Sequence, residues 1–148
     1  MKLQLKALSD KIGREIPLPY YATAGAAAMD LHACIDEAVT IPAGGRVMIP
    51  TGIAVAIPAG HVGIVAVRSS MGIKRGVTLA NGIGVIDSDY RGPLGVGLLN
   101  TADTPYEVLP GDRVAQLMIL PVVCPEPELV EELSETARGE GGFGSTGR

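Results

Sequence analysis

Short runs of alternating apolar and polar residues, each cut off by a Pro/Gly turn, recur along most of this chain and constrain its fold more than any other feature. The alternating sets are Leu3/Leu5/Ala7, Met29/Leu31/Ala33/Ile35, Ile53/Val55/Ile57, Ile64/Ala66, Leu94/Val96/Leu98 and Val114/Gln116/Met118/Leu120. Period two is the signature of a strand with one face buried. Ile41-Pro42-Ala43-Gly44, Ile57-Pro58-Ala59-Gly60 and Leu109-Pro110-Gly111-Asp112 punctuate them. Pro presets the first turn dihedral and Gly accepts a positive φ, so each string ends a strand and reverses the chain. Helical periodicity is weak, and only Ser69 to Arg75 predicts a short helix, with a hydroxyl as its N-cap. The pattern predicts an all-β sandwich or jelly roll, in effect a distorted β-barrel, with at most one short helix.

With 148 residues the chain fits one domain. Aromatics are 3% of the residues and Trp is absent, so the apolar 47% is mostly Ala, Val, Ile and Leu. One Phe is little to fill a Gly-rich sheet core, which points to self-association. The net charge of −4 argues against a broad nucleic-acid surface but leaves room for a local basic pocket. Cys34 and Cys124 lie in apolar stretches without CxxC or Cys/His spacing, so two buried free thiols of a reducing compartment are expected. The N-terminus alternates rather than forming a signal-type apolar run, and no stretch reaches the roughly 18 apolar residues of a spanning helix. The expectation is a soluble, cytoplasmic protein with no membrane or nucleic-acid partner.

Four segments depart from strand and core chemistry. The first is the terminal run Arg138 to Arg148, where five glycines surround Phe143, Ser145 and Thr146 between two arginines. It either dangles or closes over a ligand that offers a flat ring and anionic oxygens. It therefore reads as an arm, 138–148, on a domain spanning 1–137. In Val67-Arg68-Ser69-Ser70-Met71-Gly72 a cation and two hydroxyls sit at a helix start, an anion-binding combination or else an ordinary cap beside a solvated Arg.

From Asn81 to Gly92, glycines thin a strand that then delivers Asp87, Asp89 and Tyr90. Gly in a strand interior marks a close approach of ligand or backbone, although the same string also suits a plain hairpin. Asn81 could pair with a planar base, Asp87 could take a proton from water, and Tyr90 could offer its ring to a sugar. In Gly111-Asp112-Arg113-Val114-Ala115-Gln116-Leu117, Gln116 falls in line with Val114 and Met118, and a buried amide there needs a partner in the core or a ligand.

These segments, together with Ala24-Gly25-Ala26-Ala27-Ala28-Met29-Asp30-Leu31, closely resemble the five motifs of the trimeric dUTP pyrophosphatase (dUTPase) family, in that family's order and over nearly the whole chain. The resemblance implies a jelly-roll homotrimer that cleaves dUTP to dUMP and pyrophosphate with Mg2+, at sites between subunits closed by the C-terminal arm. It implies that Asp87 activates the water that attacks the α-phosphorus, that Asn81 and the backbone of 82–86, Gly84 included, read uracil, and that Tyr90 packs on deoxyribose and excludes a 2'-hydroxyl. By the same resemblance Arg68, Ser69, Ser70 and Gln116 hold phosphates. Arg138, Phe143, Gly144, Ser145 and Thr146 belong to the arm, with Phe143 over the base. The metal rides on phosphates and waters, and Asp30 supports that region indirectly or the subunit contacts.

Two residues depart from many relatives: Ser70 in place of Gly, and Val67 in place of Pro. The related dCTP deaminases carry a Glu in the strand after the Asp-containing turn, where this chain has Gly97, which disfavours deamination. A jelly roll that only binds nucleotide is the remaining alternative. His32 and His61 read as structural or solvated, and Glu126, Glu128, Glu131 and Glu132 as a solvated acidic run.

Overall fold

The computed structural model describes residues 1–142 and contains ten strands and one helix in that span. In chain order these are β1 (Gln4–Ala7), β2 (Met29–His32), β3 (Val39–Ile41), β4 (Arg46–Ala56), β5 (His61–Ala66), α1 (Ser69–Arg75), β6 (Val77–Leu79), β7 (Gly84–Ile86), β8 (Pro93–Asn100), β9 (Tyr106–Val108) and β10 (Arg113–Pro121). Two four-stranded sheets, β1-β4-β8-β6 and β2-β10-β5-β7, face each other, and the ribbon β3-β9 stands beside them. Every strand pair is antiparallel. The sheets are separate and do not close into a barrel, so the architecture is an open jelly roll.

The alternating residues do what period two requires. Along β8, Leu94, Val96, Leu98 and Asn100 are buried while their neighbours face outward. Leu94, Val96 and Leu98 meet Leu31, Val65, Ala115 and Leu117 of the other sheet in one core of aliphatic side chains. Each fully buried Leu, Ile or Val contributes roughly 1.5–3 kcal/mol, so a core without Trp is sustained by numbers. The three turn strings behave as expected: Gly44, Gly60 and Gly111 all have φ near +70 to +80°. In two of them, however, the proline stands one place earlier than a turn-presetting proline, and its carbonyl accepts the closing bond. Gly45 N donates to Pro42 O (2.8 Å) and His61 N to Pro58 O (3.1 Å). His61 accordingly opens β5.

Three local expectations are corrected. Arg68, not a hydroxyl residue, is the N-cap of α1. Its extended backbone presents a carbonyl to Met71 N and Gly72 N, and no side chain caps the helix. Along β10 a register shift between Arg113 and Ala115 changes the phase of alternation, so both Val114 and Ala115 are buried. Beyond it Leu117 faces the core, while Gln116 and Met118 are only half-buried and Leu120 is exposed. A bulge adds one residue to a strand and turns every later side chain over. Finally, the two free thiols are not both buried: Cys34 is half-buried and Cys124 exposed, because the chain leaves the sheet after Pro121. The acidic run 126–132 beyond it is solvent-facing, as expected.

β3, β6 and β9 are strands of three residues that the alternation did not reveal. One polar residue organises their ends. Asn100 is fully buried, its amide donates to Ile41 O (3.0 Å) and Thr104 O (2.8 Å), and its oxygen accepts from Ala102 N (3.0 Å). Thr101, next in sequence, donates through both backbone N and Oγ1 to Gly76 O, at 2.7 Å each, where α1 ends. The clasp thus fixes the helix to the rim of the sandwich.

Candidate active site

The short strand β7 pairs with β5 at the edge of one sheet and runs into the loop 87–92. Gly84 lies opposite Val65, and a Cβ at Gly84 would come within 3.0 Å of the Val65 Cβ. The missing side chain therefore lets the β-branched neighbour pack and brings bare backbone to the surface. Beside β7 lies an apolar groove of about 470 Å³, lined by Val85, Ile86, Asp87, Tyr90, Leu94 and Gly95 with Met48 and Pro50 of β4. It continues into a hollow of about 330 Å³ that adds Asn81, Gly84, Ala80 and Gly97. Asn81, Gly84, Asp87 and Tyr90, expected to act together, thus converge on one continuous cleft. Its apolar walls and few polar groups suit a planar base with a sugar.

The loop that carries Asp87 is braced from within. Tyr90 N donates to Asp87 O (3.2 Å), and the Arg91 guanidinium donates to Ser88 O (2.7 Å) and Tyr90 O (2.8 Å). Tyr90 Oη donates to Pro93 O (3.1 Å), which lays the ring back along the groove wall. Asp87 itself is exposed, and Asp89 occupies the turn after it.

Arg68 and Ser70 lie elsewhere. They line a second hollow of about 390 Å³ with Lys74, Arg75, Tyr106, Asp112 and Arg113, which shares no residue with the groove beside β7. Ser69 is exposed and lines a shallow concavity with Ser70, Ile73 and Lys74, which shares Ser70 and Lys74 with that hollow. Asp30, nearly buried on β2, lies between two arginines. Arg113 Nη1 donates to its Oδ2 (3.3 Å), and Arg68 Nε lies 3.1 Å from its Oδ1. The Arg68 N–H does not point at that oxygen, so this contact is an ion pair without a hydrogen bond. Both carboxylate oxygens are therefore engaged by cations. Gln116 stands opposite Asp30 in β2 and Ala66 in β5, on the same sheet.

Next to Asp30, His32 is buried, stacks on Tyr20 with ring centroids 6.0 Å apart, and has no partner for Nδ1. Burial pushes its imidazole below the ordinary value of 6.5. Arg113 and Arg68 reinforce that shift and the Asp30 carboxylate opposes it. Burial, then Asp112, raises the Tyr106 phenol above 10.0, against Arg75.

Arg113, Lys74 and Arg75 were given no role on sequence grounds. Arg113 stood inside the quoted Gly111–Leu117 string, but its contact with Asp30 spans 83 positions and depends on the pairing of β10 with β2. Of the arm, Arg138 is exposed, and its Nε donates to Gly141 O (2.8 Å) within a local turn. Phe143, Gly144, Ser145 and Thr146 lie outside the described residues.

The architecture is that of jelly-roll dUTPases of known structure. A Staphylococcus bacteriophage 80alpha dUTPase with dUPNHPP matches with a TM-score of 0.87 and 30% identity over 99% of each chain. A dUTPase from phage phi11 of S. aureus, in which a structural Mg(II) ion is coordinated, matches with a TM-score of 0.78 and 28% identity, over 89% of this chain and 98% of that one. Deoxyuridine 5'-triphosphate nucleotidohydrolase of Haemophilus ducreyi is 49% identical over 147 residues, covering 99% of this chain and 97% of that protein. The same-named protein of Glaesserella parasuis is 50% identical over 148 residues, 99% of this chain and 98% of that one. The dUTPase family model matches residues 14–147, and the chain belongs to the dUTPase family.

Proposed function

We propose that this enzyme hydrolyses dUTP to dUMP and pyrophosphate, so limiting uracil entry into DNA and supplying dUMP for thymidylate synthesis. The observation that carries the reading is the convergence of Asn81, Gly84, Asp87 and Tyr90 on one cleft beside β7. Uracil pairs with Asn81 and the exposed backbone around Gly84, and the Tyr90 ring packs on deoxyribose. Asp87 takes a proton from the water that attacks the α-phosphorus. Arg68, Ser69, Ser70 and Gln116, with Arg113, neutralise and orient phosphate oxygens, and the arm from Arg138 through Phe143, Gly144, Ser145 and Thr146 closes the site against bulk water.

Mg2+ bound with the triphosphate would offset its charge. Asp30 is committed to two arginines, which suits an ion held by phosphates and waters. Asp30 acts through those arginines.

The assembly is a homotrimer. Support comes from the separation of the base groove and the phosphate hollow within one chain, which neighbouring chains would bring together. It also comes from exposed Val123, Leu129 and Leu133 in the segment leading to the arm, an apolar set that a neighbouring surface would cover. No helix in the described span is long and apolar enough to cross a membrane. Two free thiols suit the cytoplasm.

A nucleotide panel tests the reading. The protein with Mg2+ should cleave dUTP far faster than dTTP, dCTP or UTP, releasing pyrophosphate. Tight dUTP binding without pyrophosphate release would mark a nucleotide-binding regulator instead.

A further inference from the structure

The geometry points to Gly92 as a positioning residue that sets the Tyr90 ring and, through it, the discrimination between deoxyribose and ribose. The inference rests on the proposed role of Tyr90 against the sugar. A Cβ built on Gly92 would collide with Tyr90 Oη and lie 2.6 Å from Cζ and 3.0 Å from Cε2. Ordinary carbon contacts need about 3.5–4.0 Å, so any side chain at position 92 displaces the ring by roughly 1 Å or more. Gly92 is not among the positive-φ glycines, so its backbone does not itself demand glycine. The three nearest atoms all belong to Tyr90.

The ring, 42% exposed, is the part that yields, and moving it takes its hydroxyl off Pro93 O. The loop backbone is braced instead, by Arg91 through Ser88 O and Tyr90 O. Because Tyr90 and Asp87 line the same groove, displacement of the ring alters the wall against which the sugar rests. A ring moved outward leaves room for a 2'-hydroxyl and loosens the seat of the deoxyribose. An error of about 1 Å in a positioning group can cost up to a hundredfold in rate.

The test compares the kcat/KM ratio for dUTP over UTP in wild type, Gly92→Ala, Tyr90→Val and the double variant, with thermal unfolding of each as a check on folding. Crystal structures of wild type and Gly92→Ala locate the ring. Gly92→Ala should lower the ratio at least about tenfold, mainly through KM for dUTP. In the Tyr90→Val background the same substitution should leave the ratio unchanged, since no ring remains to displace. An unchanged ratio in Gly92→Ala, or an equal drop in both backgrounds, would overturn the inference. So would a crystal structure with Tyr90 Oη still on Pro93 O. If wild type itself fails to prefer dUTP, the substrate reading falls, while the ring position still decides whether Gly92 seats Tyr90.

Discussion

Asn100→Ala should cost about 3 kcal/mol of stability, although position 100 is remote from any proposed substrate contact. The side chain makes three hydrogen bonds: to Ile41 O in fully buried surroundings, and to Thr104 O and Ala102 N where burial is partial. An orphaned group at the first position costs about 1–3 kcal/mol, and the other two, within reach of water, about 0.5–1 kcal/mol each. Against a typical total of 5–15 kcal/mol this is a large fraction. Urea unfolding at fixed protein concentration measures it, since stability of an oligomer depends on concentration. Loss of the clasp should also loosen the Thr101–Gly76 contact and hence α1, which would appear as weaker nucleotide binding. Asn100→Asp should be worse at neutral pH than Asn100→Ala, because it turns a donor toward two carbonyls into a buried charge. A loss below about 1 kcal/mol for Asn100→Ala would refute the view that this amide ties β3, β8 and α1 together.

Asp30→Asn leaves Arg68 and Arg113 without their shared counter-ion; it should cost about 1–3 kcal/mol in unfolding experiments, discounted from a fully buried pair because both arginines are partly solvated. His32 is lowered in the folded state, so the unfolded chain binds the proton more readily. Stability should therefore fall as pH drops below the ordinary value of 6.5 and level off beneath the lowered folded value. His32→Gln should flatten that slope, as read from unfolding midpoints across the range. Removing residues 138–148 should depress turnover without shifting the thermal midpoint substantially, while a cooperative loss of structure would place the arm in the core.

Much of this fold was legible in the sequence, because period-two alternation is a local signal. Leu94, Val96 and Leu98 announce β8, and the three Pro/Gly strings locate turns to within a residue. What escaped depends on pairing. The three-residue strands are too short to show a period. The phase change in β10 comes from one extra residue at Val114, which nothing in the string distinguishes from regular alternation. The hydroxyl cap failed because Arg68 occupies that position while its side chain is drawn to Asp30, a contact that exists only once β2 and β10 are paired. Asn81, Gly84, Asp87 and Tyr90 were legible as a cleft because they fall within ten residues of one another, whereas Arg113 acquires its partner from the neighbouring strand β2, 83 positions away in sequence.

The central claim is that Asp87 directs water onto the α-phosphorus of dUTP. Hydrolysis of dUTP in heavy-oxygen water, followed by mass spectrometry of both products, tests it most directly. The label should appear in dUMP, and Asp87→Asn should abolish its incorporation while nucleotide binding persists. Label in pyrophosphate, or undiminished turnover by Asp87→Asn, would contradict the account.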